Sequence, residues 1–385
     1  MAERSTISRV VLRNYKSIRN CDVELGPLTF LVGPNGSGKS NFVEALRFLS
    51  YALTTSLEQS IANRSGFHSI LSRGGEVRPT IAFDVHCRLD DETEGHYVVE
   101  IEAEAEGPVV VITEECSIDS PGRSDWFKVN RGVVESNQGV IPAASENKLY
   151  LLNASGLRPF DPMYRTLSNL AVYNPVPDEM RGFKAEKNYR MLDRTGSALA
   201  EILFKLKTSD PERVARVSEY LQRINPTMLE INPDSLQGHY ILRFLLDTGN
   251  GVEQYFSTQN ISDGTLRALT VLVALFQSYP VDVIALEEPE TGLHPAAAGV
   301  LFDSLVEGSG FRQVIVTSHS PDLLDRKDIH QSAIRAVMMN SGQTLIGEVD
   351  ELGKRAMRER LYTAGELLRM DLLRPKDAPL SAPFG

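Results

Sequence analysis

The sequence predicts an α/β protein with a parallel core sheet into which an antiparallel β-lobe and a helical lobe are inserted. Three patterns carry that prediction. From Ser262 the chain alternates helix and strand, with helices at 264–278 and 295–307 and strands at 281–286 and 313–317, the rhythm of a parallel sheet covered by helices. From Pro79 the hydrophobic period switches to two, Ile81, Phe83, Val85, Cys87 and Leu89 alternating with Ala82, Asp84, His86 and Arg88, as a half-buried antiparallel strand requires. Between about 160 and 230 the apolar residues fall mostly at helical spacing.

In chain order, 7–12 reads as a strand and 28–32 as a continuous apolar run of the buried-strand type. Phe42, Val43, Leu46 and Leu49 then mark a helix. Strand-like runs at 97–105 and 109–114 follow the alternating segment, with turn-rich stretches at 90–95 and 119–124. The clearest helices of the middle section are 198–206 and 211–224, the second opening on Asp210-Pro211 as N-cap and first helical residue. A strand at 240–246 precedes a glycine-rich turn at 249–251. The expected organisation is one head over 1–370, its core drawn from 1–60 and 280–345, its β-lobe from 75–150 and its helical lobe from 155–280. A proline-marked tail covers 371–385.

Composition narrows the function classes. The 385 residues are 42% hydrophobic and 24% charged, ordinary globular usage. The net charge of −11 argues against a general nucleic-acid coat, whose affinity comes from phosphate neutralisation, and leaves room only for a local basic groove. Cys21, Cys87 and Cys116 are odd in number and scattered, which fits neither a disulfide framework nor a zinc site and points to a reducing cytoplasm. No apolar leader opens the chain, and the longest apolar run, 269–276, is too short for a membrane span.

Gly33-Pro-Asn-Gly-Ser-Gly38-Lys39-Ser40 matches GxxxxGK[ST] between a predicted buried strand and a predicted helix, the context that gives the motif its meaning. Glycines allow backbone N–H groups to curl around phosphates, and the helix N-terminus adds partial positive charge. Asn35, Gly36, Ser37, Gly38, Lys39, Ser40 and Asn41 are therefore the candidate ATP-binding residues, with Lys39 reaching the β and γ phosphates and Ser40 ligating Mg²⁺. The second half of such a site is a carboxylate pair. The apolar strand 281–286 ends in Glu287-Glu288-Pro289-Glu290; Glu287 is the candidate metal residue and Glu288 the group that orients or deprotonates the attacking water.

Three later segments make a resemblance specific: Ile261-Ser262-Asp263-Gly264-Thr265, the run Glu287 to Pro295 (EEPETGLHP), and Val316-Thr-Ser-His319-Ser-Pro321. Together with the P-loop they resemble the heads of ABC-type ATPases, and more narrowly the ABC-like AAA ATPases of the SMC, RecF and OLD group, many of them found in phage-defence loci. The resemblance implies that Ser262 and Gly264 form the signature that contacts the γ-phosphate held by another subunit, that His319 is the switch histidine, and that Gly292-Leu293-His294 is the D-loop. It also implies ATP and Mg²⁺ as ligands and ATP hydrolysis as the reaction. Leu12–Ile18 and Gly196 agree with the same family. Chemistry supports the signature separately, because Ser262 caps an apolar helix whose first N–H groups are free for an anion. A signature unable to reach its own P-loop implies a head-to-tail homodimer around two nucleotides.

Two features depart from the family pattern. Glu287 stands where Asp is usual, and no glutamine loop can be placed: Gln59 is too near the P-loop, and Phe67–Gly74 offers no glutamine. Three biological readings follow: a motor or switch of an antiphage defence system acting with a separately encoded effector, a RecF-like repair ATPase, or an ATP-gated scaffold. A Toprim-type nuclease, as in OLD relatives, would need a DxD pair; none follows Pro321, and Glu348, Asp350 and Glu351 read as a solvated turn, so such an effector is expected on another chain. Lys184, Lys187, Arg190 and Arg194 could line a DNA groove, and a solvated helix face explains them equally well. No membrane role is expected.

Overall fold

The computed structural model describes residues 4–72, 80–103, 108–139, 142–145, 147–182, 184–185, 187–279 and 281–378. The end of the expected strand 97–105, the Gly74 end of the stretch from Phe67, and the tail beyond 378 lie outside the described residues.

The chain opens with β1 (Thr6–Tyr15), β2 (Ile18–Glu24) and β3 (Leu28–Val32), then α1 (Lys39–Thr54), α2 (Leu57–Ala62) and α3 (Phe67–Ile70). The lobe follows as β4 (Thr80–Arg88), β5 (Glu94–Ala103), β6 (Val109–Ser120), β7 (Arg123–Asn130) and β8 (Val133–Ser136). Next come α4 (Tyr150–Ala154), α5 (Asp161–Ser168), β9 (Ala171–Tyr173), α6 (Pro177–Met180), β10 (Lys184–Ala185), α7 (Leu199–Ser209) and α8 (Pro211–Ile224). The second half holds β11 (Met228–Leu236), β12 (His239–Asp247), β13 (Glu253–Ser257), α9 (Asp263–Phe276), β14 (Val283–Glu287), α10 (Pro295–Ser309) and β15 (Gln313–Ser318). It closes with α11 (Pro321–Leu324), β16 (Ile334–Asn340), β17 (Gln343–Glu348), α12 (Glu351–Arg358) and α13 (Ala364–Arg369).

The described residues form three sheets. The core sheet has the order β17-β16-β3-β15-β14-β9, parallel from β16 to β9 with β17 antiparallel at the edge. A crossover order of this kind is what the helix–strand alternation calls for. An antiparallel sheet runs β2-β1-β4-β5-β6-β7-β8, and a smaller one joins β10, β12 and β11, with β13 on β12. The strand expected in the core at 7–12 belongs instead to the antiparallel sheet, where Val10 faces Val85 and Leu12 faces Phe83. Its alternating burial, with Val10, Leu12 and Tyr15 inward, is the half-buried pattern of such a sheet rather than the two-sided burial of β3. β6 outruns the strand expected at 109–114 and enters the turn-rich stretch expected at 119–124, ending at Ser120.

Side chains leave the core sheet on both faces. Leu31, Ala285, Ile315 and Val337 pack with α1 and the antiparallel sheet, while Phe30, Val32, Leu286, Val314 and Val316 pack against α7, α9 and α10. Helix α1 is thus shared by two sheets; Phe48 stacks on Phe83 at 5.6 Å and both meet Tyr15. Helix α9 is apolar nearly all round because it is enclosed nearly all round, with every residue from Leu269 to Leu275 fully buried. It stops at Gln277, whose buried amide accepts from Leu192 N at 2.9 Å and donates to the Tyr173 hydroxyl at 2.7 Å. Gln313 does similar work at the other end: its amide exchanges hydrogen bonds with Ile7 N and O and donates to Gly26 O, tying β1 to the core sheet.

Among the described residues of the lobe, Glu114 is the most deeply buried carboxylate. Glu114 is fully buried and accepts from Tyr97 Oη at 2.9 Å, Tyr150 N at 2.6 Å and Leu151 N at 2.7 Å. Burial pushes its carboxyl up to about 7 against those donors, which pull it down. A carboxyl that holds its proton more tightly when folded adds stability at low pH that is lost as pH rises from the unfolded value of 4.5 through about 7. Urea unfolding between pH 5 and pH 8 should therefore show wild-type stability falling relative to Glu114→Gln; parallel curves would refute the assignment.

Candidate functional site

The carboxyl ends of β3, β15 and β14 lie in one register. Val32 pairs with Ser318, and Thr317 pairs with Glu287, so the P-loop, the segment after β15 and the acidic segment all leave the same edge of the sheet. In open α/β sheets that edge is where ligands bind.

The P-loop is held by close approach. A Cβ on Gly33 would sit 1.9 Å from Val337 O, and one on Gly38 would sit 1.9 Å from Thr344 Oγ1, with Gly38 at φ 101°. Thr344 Oγ1 also donates to Ser37 O at 2.9 Å and pairs with Ser17 Oγ, which accepts from Asn41 Nδ2 at 2.6 Å. Asn41 is thereby drawn into the clamp behind the loop. Asn35, Gly36 and Ser40 are exposed at its mouth, and the Ser37 hydroxyl is buried without a partner. Lys39 is buried, its ammonium donating to Gly33 O at 2.8 Å and Pro34 O at 2.9 Å. Burial pulls it down from the ordinary lysine value, while Glu288 and Glu290 oppose that pull, so the lysine and the acids share one field.

Three acids converge on this edge, one more than expected. Glu287 ends β14 and accepts from Arg194 Nη2 at 3.0 Å. Glu288 has φ 45°, uncommon for a residue with a Cβ, and is fixed there by donating its N–H to Thr317 O and Oγ1. His319 Nδ1 lies 3.2 Å from Glu288 Oε1 but is not aligned as a hydrogen bond. Glu290 is buried, accepts from Ser318 Oγ at 2.6 Å and leaves Oε2 without a partner. Burial raises its carboxyl above the usual range. Its signal in the sequence is the second acid of the Glu-Pro-Glu step, beyond the strand end.

Of the four cations that could face DNA, Arg194 is paired with Glu287. Lys187 and Arg190 are exposed, the side chain of Lys184 lies outside the described residues, and Arg194 turns toward Glu287 instead. Local structure fixes the backbone there. Asp193 caps the segment by accepting from Ala198 N, Thr195 Oγ1 and Ser197 Oγ, and the backbone pairs as Asn174 N to Arg194 O and Val176 N to Thr195 O. Gly196, at φ 84°, lies against Met180 and Thr270. The same pairing brings the end of β9 to the edge beside β14, so Asn174 places an amide residue there.

The segments expected as signature and D-loop meet directly. Ser262 caps α9, accepting from Thr265 N at 3.3 Å, while Asp263 is held by Arg181 at 2.7 Å. Ser262 and Asp263 are exposed, and neither bonds to the P-loop. Gly264 is buried against Gly292: a Cβ on Gly264 would lie 2.1 Å from Gly292 O. His294 caps α10 through Nδ1, which accepts from Ala296 N at 3.2 Å.

These residues fit a nucleotide with a divalent ion. The unpartnered Ser37 hydroxyl, the glycine-only approaches at Gly33 and Gly38, the exposed Ser40 hydroxyl and the unpartnered Glu290 oxygen all leave donors and acceptors unspent at one edge. Glu287, by contrast, already has a cation in Arg194. Gly38→Ala is expected to lose fluorescent ATP-analogue binding by at least about tenfold, since Cβ strikes Thr344 at a positive φ where strain costs about 1–3 kcal/mol. Retained affinity would contradict this account of the loop.

Comparison with known proteins bears on the whole arrangement. Residues 28–325 match the family described as "AAA domain, putative AbiEii toxin, Type IV TA system". The DNA replication and repair protein RecF of Aliivibrio fischeri (strain MJ11) is 36% identical over 59 residues, 15% of this chain and 16% of that protein. RecF of Actinobacillus pleuropneumoniae serotype 5b (strain L20) is 33% identical over 86 residues, 22% of this chain and 21% of that one. The chain therefore matches about a fifth or less of these relatives' length. Among solved structures, the Smc head domain with an extended coiled coil, bound to the C-terminal domain of ScpA and derived from Pyrococcus furiosus, superposes with TM-score 0.54 at 13% identity, covering 93% of this chain and 99% of that one. The SmcHead bound to the C-winged helix domain of ScpA gives TM-score 0.50 at 15% identity over 88% and 97%. The fold is that of the SMC ATPase heads, and the chain belongs to the AAA-domain family that its residues 28–325 match.

Proposed function

We propose that this protein binds and hydrolyses ATP, closes as a head-to-tail homodimer while ATP is bound, and acts as the switch of a bacterial antiphage defence system with a separately encoded effector. The convergence of Lys39, Glu288 and His319 on one sheet edge carries the reading. Lys39 leaves its two loop carbonyls to hold the β and γ phosphates, and the exposed N–H crown at Asn35 and Gly36 cradles them. Mg²⁺, held by Ser40 with Glu287 at the acidic edge, would offset phosphate charge when bound. Glu288 accepts a proton from water as the water oxygen attacks the γ-phosphorus and the bond to the ADP oxygen breaks. His319, beside that carboxylate, holds the γ-phosphate in line.

The dimer is supported by the outward position of Ser262, whose first helical N–H groups suit an anion supplied from another copy. An effector on another chain is supported by the family's description, which names a toxin–antitoxin system, a pairing of two components. The short RecF matches favour a second reading, a DNA-repair ATPase, and the net charge of −11 confines any DNA contact to a local or dimer-made surface.

Glu288→Gln should slow phosphate release on the order of 10²–10⁴-fold while leaving ATP binding intact. The same variant with ATP should run as a dimer in light scattering. Hydrolysis at the wild-type rate would overturn the role of Glu288, a monomer at saturating ATP would overturn the dimer, and strong stimulation by DNA would favour the repair reading.

A further inference from the structure

The antiparallel sheet carries a second cluster, on the face turned away from α1. β4 and β5 pair so that His86 stands directly opposite His96, and Asp84, two residues before His86, shares its face. The two imidazoles stack with centroids 4.1 Å apart and planes 10° from parallel. Both aim Nε2 at one atom, Asp84 Oδ1, at 3.2 Å from His86 and 2.8 Å from His96. One ligand atom from each residue lies within 4.8 Å of the other two. Phe83, Val85 and Tyr97 point the opposite way, into the core, so the cluster belongs to neither the packing nor the nucleotide edge.

We propose that Asp84, His86 and His96 form a site for a divalent transition-metal ion of the zinc class, joining β4 to β5. Two imidazoles and one carboxylate are the donor set that suits Zn²⁺, Co²⁺ or Ni²⁺ and suits Mg²⁺ or Ca²⁺ poorly, because those ions prefer oxygen throughout. Bonds of about 2.1 Å place tetrahedral ligands about 3.4 Å apart, so the two histidine–carboxylate spacings need open by only a few tenths of an ångström, while the stacked rings rotate to bring both in-plane lone pairs onto the ion. The strands are already paired on both sides, which fixes the backbone of all three residues before any ion arrives. Arg9, the cation across from His86 on β1, is committed to Asp22 through two hydrogen bonds and is offset by it. A groove of about 620 Å³ opens over His86 and His96, lined also by Ser8, Ser117 and Glu94, and leaves the fourth coordination position to water or a further ligand.

The test uses the full chain after chelator treatment and dialysis, titrated with Zn²⁺ by calorimetry and with Co²⁺ by visible absorption. One equivalent should bind the wild type and raise its Tm, because an ion bound only by the folded state stabilises it. His86→Gln with His96→Gln should lose at least tenfold in affinity, the Tm rise and the tetrahedral Co²⁺ spectrum, with an unchanged Tm in the absence of metal. His96→Gln alone serves if the double variant folds poorly, and Mg²⁺ in place of Zn²⁺ should give no shift that depends on these histidines. Equal stoichiometry and equal Tm shift in the variants, or no Zn²⁺ binding by the wild type, would overturn the proposal. ATP hydrolysis does not enter the readout, so the outcome is independent of the proposed function.

Discussion

The register between β3, β15 and β14 is the constraint on which the rest depends. Because side chains alternate along a strand, a slip of one residue would send Glu287 to the opposite face and part Ser318 from Glu290. Burial on both faces is what prevents the slip: Phe30 and Val32 belong to one core, Leu31 to the other, and neither core accepts the exchange. The lysine of the P-loop, arriving from one end of the chain, and the acids, arriving from the other, are thus brought together by hydrophobic packing rather than by their own attraction.

Electrostatics then has to be managed inside that packing. Three carboxylates at one edge repel one another, and the protein answers with two cations of different character. Lys39 is bound only to loop carbonyls and can move to a ligand. Arg194 is fixed by a capped turn and holds Glu287. The longer Glu side chain at this position, where Asp is the commoner choice, is long enough to meet that arginine.

Legibility followed the physics of each signal. The P-loop, the acidic strand and the helix–strand alternation were readable because each rests on contiguous residues with strong local rules, and Gly38 and Glu287 lie where those rules put them. Signals that depend on partners distant in sequence were not readable. β1 has the alternation of any half-buried strand, and only its pairing with β4 decides its sheet. Arg194 looks like one of four surface cations until Asn174, on a separate element upstream, pins its backbone. Asn174 itself follows a three-residue strand too short to announce itself. Glu114 sits at an inward position of an alternating strand, where a charge is unexpected, and its partners come from β5 and α4.

The contact between Gly264 and Gly292 has a mechanical consequence. With no side chain on either residue, two backbones from different lobes touch, and nothing between them can compress or rotate. A soft joint made of long side chains would absorb a small shift; bare backbone transmits it. The start of α9 and the loop before α10 therefore leave no room between them for a side chain, and neither can move toward the other.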